Sequence, residues 1–135
     1  MRLLLLWLWF VSQVVAGPCL TTPEMTVTEN LYQAGGLYTP GHVQVLPHSP
    51  TVIIIHEFSH HLDWACRISE RPVGRAFAMR AGFDPAEWWT GDLPWGERPE
   101  EMFAATLTWM LTGRAVGPVQ YGATRPLERR LLADG

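Results

Sequence analysis

Charge is scarce in this chain. Only 17% of its 135 residues are charged, 10 basic against 13 acidic, for a net charge of −3. No basic stripe runs through it, which speaks against a nucleic-acid partner. Cysteine is nearly absent, with only Cys19 and Cys66 present. No repeat, low-complexity tract or linker divides the chain, and its length is that of one domain. No apolar run reaches the roughly 20 residues that a membrane-spanning helix needs. Against these shortages stands a hydrophobic content of 47%, ordinary for a globular core.

The first residues read M-R-L-L-L-L-W-L-W-F-V-S-Q-V-V-A-G. Arg2 gives a minimal positive start, Leu3 to Val11 an apolar centre, and V-V-A before Gly17 a small-residue cleavage site. That is the layout of a secretory signal peptide, residues 1–16, with a mature domain over 17–135. The expected location is therefore secreted or cell envelope, with no stable membrane insertion after cleavage; a short uncleaved anchor is the competing interpretation. In an exported protein the two cysteines can form a disulfide joining the mature N-terminus to the central helix. Two buried free thiols fit the sequence equally well.

Strand-like alternation covers Met25 to Leu46. Pro40-Gly41 suits the centre of a turn, so a hairpin is expected across G-L-Y-T-P-G-H-V-Q-V. A helix is predicted from Pro50 to Ile68, with Ser49 as N-cap and Pro50 at the first position. Val52 to Ile55 are beta-branched, so a strand over 51–55 competes, but the downstream H-E-F-S-H-H-L-D-W-A-C makes sense only on a helix. Further helices are predicted over Pro72 to Ala81, stopped by Gly82, and from Pro99 up to Gly113. A last short one is P-L-E-R-R-L-L-A. Few strands followed by several helices imply an α+β fold.

Inside the first helix lies I-I-H-E-F-S-H-H-L-D. His56 and His60 are one helical turn apart on one face, so both imidazoles can reach a single zinc ion at about 2.0–2.1 Å. Glu57 stands beside the pair and is placed to act as general base on a metal-activated water. This is the H-E-x-x-H pattern of zinc-dependent peptidases. A catalytic zinc takes a third protein ligand. The metzincin continuation is excluded, because the positions that need glycine and histidine hold Asp63 and Cys66 to Arg67. Asp63 is read as a carboxylate that orients a histidine or an adjacent loop. The third ligand is expected from the helix carrying Glu100 and Glu101. Its apolar stripe of Phe103, Leu107, Met110 and Leu111 lies nearer Glu100, but a ligand facing a cleft need not share the core face.

H-E-F-S-H-H-L-D followed by E-M-F-A-A-T-L resembles the catalytic domain of the anthrax toxin lethal factor family, a gluzincin group. The resemblance spans the hairpin to Leu111. It implies a zincin-like fold, with Glu101 as third zinc ligand and Met102, Phe103 and Ala104 behind it. Two positions depart from the family pattern. Ala105 stands where a second glutamate is usual, and Pro94 falls where family members carry a tyrosine. Transition-state stabilisation would then fall to Tyr121, Tyr38 or His42. The resemblance also implies that the hairpin edge pairs with an extended peptide substrate, although a purely structural hairpin fits as well.

Among the remaining candidates, His61 is expected in packing or at the surface, and His42 and His48 in loops. Trp88, Trp89 and Trp95 would line a cleft rim or, more commonly, fill a small core. The sequence therefore points to a zinc metallopeptidase acting on peptide or protein substrates, with His56, His60 and Glu101 on Zn2+ and Glu57 as base. A zinc-binding module without turnover is the alternative.

Overall fold

The computed structural model describes residues 19, 21–31, 34–89, 92–114 and 116. The expected signal peptide, the last predicted helix and Tyr121 lie outside them. Within them the chain forms three strands and then three α-helices, an α+β fold. The strands are β1 (Glu24–Val27), β2 (Gly36–Thr39) and β3 (His42–Val45), in the order β1-β3-β2. β2 and β3 form the expected antiparallel hairpin, with Thr39 opposite His42 and Pro40-Gly41 between them. Gly41 has φ 79°, which glycine adopts without a Cβ penalty. β1 joins β3 in parallel, pairing Met25 with Val43 and Val27 with Val45.

Because side chains alternate across a sheet, Tyr38, Val43, Val45 and Gly36 share one face. That face packs on helix α1 (Thr51–Cys66). The helix runs through the beta-branched stretch, as expected over the competing strand. Pro50, not Ser49, is its N-cap residue, and no side chain caps it. The Ser49 hydroxyl does something else: it accepts from Leu46 N at 2.8 Å and donates to Gly35 O at 2.6 Å. It thereby ties the start of β2 to the start of α1. The helix stops at Cys66, two residues earlier than predicted, because Arg67 turns into the left-handed region at φ 50°. A 3-10 turn over Ile68–Glu70 follows.

Helix α2 (Pro72–Ala81) ends at Gly82 as expected, with φ 84°. Helix α3 (Pro99–Thr112) begins at Pro99 and is capped by Gly113. It packs directly on α1. Between these helices and the turns the core gathers Ile55, Leu62, Ile68, Ala78, Trp88, Phe103 and Leu107. Of the predicted apolar stripe of α3, Met110 is the exception, being 56% exposed. Cys19 and Cys66 form a disulfide with Cα atoms 4.9 Å apart, fixing the segment before β1 to the end of α1. Among the described residues no helix is long and apolar enough to cross a membrane.

Candidate metal centre

Helix α1 buries an unusual set of polar side chains: His56, Glu57, Ser59, His60, His61 and Asp63. Each would cost roughly 2–7 kcal/mol in an apolar setting without a partner. The structure supplies partners to His56, His60, His61 and Asp63 from three directions, while the Ser59 hydroxyl donates to Ile55 O within the helix.

One turn of helix brings His56 and His60 together, their Nε2 atoms 3.1 Å apart. From α3, Glu101 places Oε2 at 3.0 Å from His56 Nε2 and 3.2 Å from His60 Nε2. Three donor atoms thus form a nearly equilateral triangle. Donors held tetrahedrally about 2.0–2.1 Å from one zinc ion would lie about 3.3–3.4 Å apart, so the triangle has the size one cation needs. Hydrogen bonding alone fills it poorly, since two imidazole nitrogens and one carboxylate oxygen all face a common point. The group His56, His60 and Glu101 could hold a metal ion. It is Glu101, not the Glu100 favoured by periodicity, that meets the imidazoles. Glu100 is half-buried one step round the helix, and its Oε2 has no hydrogen-bond partner among the described residues.

The electrostatics follow from burial and from this convergence. Burial raises Glu101, but hydrogen bonds from His56 and His60 outweigh it and hold the carboxyl down at about 2. Burial lowers His56 despite the Glu101 bond. For His60 burial is again the largest effect, but the Glu101 bond and the charges of Glu101, Glu57 and Asp63 reverse it and the group is raised. Glu57, buried next to the triangle and outside it, is pushed up to about 7 by desolvation. His56 Nδ1 is buried without a partner among the described residues.

Asp63 anchors a loop. Its Oδ2 accepts from Trp88 Nε1 at 2.7 Å, which fixes the segment after the 3-10 turn Pro85–Glu87. Of the three tryptophans, Trp88 is therefore core, while Trp89 and Trp95 are 49% and 40% exposed. Its other oxygen lacks a partner among the described residues, and burial raises the carboxyl to about 7.

His61 is neither surface nor simple packing. It is buried, and its Nε2 lies 2.8 Å from Thr21 O and its Nδ1 3.2 Å from the Tyr38 hydroxyl. That hydroxyl in turn accepts from Gly41 N at 2.9 Å. A consistent assignment has Nε2–H donating to Thr21 O and Tyr38 O–H donating to Nδ1. The Tyr38 ring also stacks on His60, with centroids 6.1 Å apart. The hairpin turn, a histidine of the triangle and the segment after Cys19 are thus linked through one residue that sequence spacing set aside. Tyr38 is committed to this chain of bonds. His42 is likewise engaged: it opens β3 and bonds Thr26 Oγ1 at 2.8 Å, so it is a strand residue. Ala105 is buried on α3, and Pro94 caps the 3-10 turn Trp95–Glu97.

No family model, curated protein or solved structure matches the chain.

Proposed function

We propose that the protein is a minimal zinc metallopeptidase of the gluzincin type, with a zincin-like fold. The observation that carries this reading is the triangle of His56 Nε2, His60 Nε2 and Glu101 Oε2 with the Glu57 carboxyl buried beside it. Two imidazoles and one carboxylate are the donor set of catalytic zinc sites that keep an open position. When bound there, zinc supplies Lewis-acid activation of a water and of the scissile carbonyl. Glu57 takes the proton from the attacking water and delivers it to the leaving amine. Asp63 and His61 act at one remove, the first holding Trp88 and the second holding Tyr38 against His60.

The substrate class is peptide or protein. Among the described residues β2 is an edge strand beside the site, and that edge can add an extended peptide through main-chain hydrogen bonds. Tyr38 and His42 contribute no oxyanion donor in this reading, because the Tyr38 hydroxyl is bonded to His61 on α1 and His42 to Thr26 on β1. Export to the cell envelope or beyond is supported by the disulfide, which persists in oxidising compartments. The resemblance to the lethal factor family agrees with these assignments.

The second reading is a zinc-binding module without turnover. Ala105 and Pro94, where the family carries a glutamate and a tyrosine, favour it. The test is digestion of a peptide library by the zinc-loaded mature chain and by Glu57→Gln. Turnover that chelator abolishes and Glu57→Gln lowers about 10²–10⁴-fold, at equal zinc content, is the expected result. A fully active Glu57→Gln chain removes the general base, and an inert zinc-loaded wild type leaves the module.

A further inference from the structure

We propose that Gly36 is a positioning residue for Glu57, holding the catalytic carboxyl in place by having no side chain. The proposal rests on the peptidase reading for its catalytic meaning, but its physical content is a contact. A Cβ built on Gly36 would lie 2.7 Å from Glu57 Cγ, 2.8 Å from Glu57 Oε1 and 3.0 Å from Ile53 Cγ2. The first two distances, to a carbon and an oxygen, are shorter than a Cβ tolerates, so the main chain of β2 is the wall against which Glu57 rests.

That wall cannot easily retreat. Gly36 is paired with Val45, which is buried, and the preceding carbonyl of Gly35 is held by Ser49 Oγ. Glu57 has equally little room, being 7% exposed and fixed on a buried turn of α1. Gly36 has no positive φ that would by itself demand glycine. Space is the whole reason for the residue type. A glycine inside a strand commonly marks such a close approach. The edge strand that would receive substrate and the carboxyl that moves the proton are thereby in direct contact.

Gly35 provides the control. A Cβ there would meet Ile53 at 3.5 Å, ordinary contact. The experiment compares wild type, Gly35→Ala, Gly36→Ala, Glu57→Ala and Gly36→Ala/Glu57→Ala for melting temperature, zinc content and peptide hydrolysis. Gly36→Ala is expected to retain zinc, to lose several degrees of Tm and to lower kcat about 100-fold, the scale of a misplacement near 1 Å, with KM little changed. In the Glu57→Ala background the same substitution should cost far less Tm, because the obstructing side chain is gone. Gly35→Ala should match wild type in all three. If Gly36→Ala does not fold, recovery of folding in the double variant supports the contact as well. A Tm loss equally large without the Glu57 side chain, or a Gly36→Ala chain as active as wild type, overturns the positioning role alone. A wild type without chelator-sensitive hydrolysis overturns the peptidase reading and the catalytic role, while the Tm comparison still reports whether Gly36 and Glu57 touch.

Discussion

Glu101 Oε2 lies 3.0 Å from His56 Nε2, although 45 positions of sequence separate the two residues. The contact joins α3 to α1 at the point where the second histidine also arrives. Zinc affinity should therefore respond to Glu101→Ala far more than to Glu100→Ala. The expected loss for Glu101→Ala exceeds the 10–100-fold typical of a merely supporting partner, whereas Glu100→Ala stays within that range or below it. Competition with a chromophoric chelator measures both, and equal losses would refute the assignment.

Tyr38 is expected to matter for stability and not for turnover. Its hydroxyl serves Gly41 N and His61 Nδ1 together. Tyr38→Phe strips a partner from each and should cost about 1–3 kcal/mol, as for a buried polar group left unsatisfied. Urea unfolding reads the cost. A drop in kcat beyond about tenfold at full zinc content would instead place the hydroxyl in the reaction.

Asp63 makes the metal-free protein sensitive to pH. Burial raises its folded-state value from 3.8 to about 7, so its stabilising contribution is complete below about pH 4 and is lost as pH rises through 7. Glu57, raised in the same way, adds to the trend. Asp63→Asn keeps an acceptor for Trp88 and cannot ionise. Its Tm relative to wild type should therefore be higher at pH 8 than at pH 5 in chelator-treated protein. Asp63→Ala should lose about 1–3 kcal/mol at pH 5, because Trp88 Nε1 is left without its acceptor, and less at pH 8, where wild type itself carries the cost of ionising the carboxyl. A pH-independent difference for Asp63→Asn would contradict the shift.

The Cys19–Cys66 bridge closes a loop across a separation of 47 positions. Loop-closure entropy assigns such a link about 4 kcal/mol. Replacing both cysteines by serine should reduce unfolding free energy in urea by that order, and reductant should do the same to wild type. Zinc binding should survive at low denaturant, since neither cysteine belongs to the His56, His60 and Glu101 group.

Much of the site is legible in the amino-acid sequence. The i, i+4 spacing of His56 and His60 requires a helix to mean anything, and helix α1 is there despite its beta-branched start. Pro40-Gly41, Gly82 and Gly113 mark the turn and two helix ends through backbone freedom that needs no tertiary context. Where a local rule met a tertiary alternative, it failed. Ser49 looked like an N-cap and was drawn off by Gly35 and Leu46. His61 looked incidental and became a junction, because its partners at Thr21 and Tyr38 lie 40 and 23 positions away.

What the sequence by itself determined was the short-range chemistry: two imidazoles and a flanking carboxyl on one helix, with an acidic pair opening another. Periodicity leaned to Glu100 and the family resemblance implied Glu101; that Glu101 meets the imidazoles belonged to the tertiary structure, as did the pairing of Cys19 with Cys66 and the contact of Gly36 with Glu57. The physical reason is one of range. Periodicity along a helix says which face a residue occupies relative to its neighbours, but only the packing of α3 on α1 and of β2 against α1 decides what that face meets.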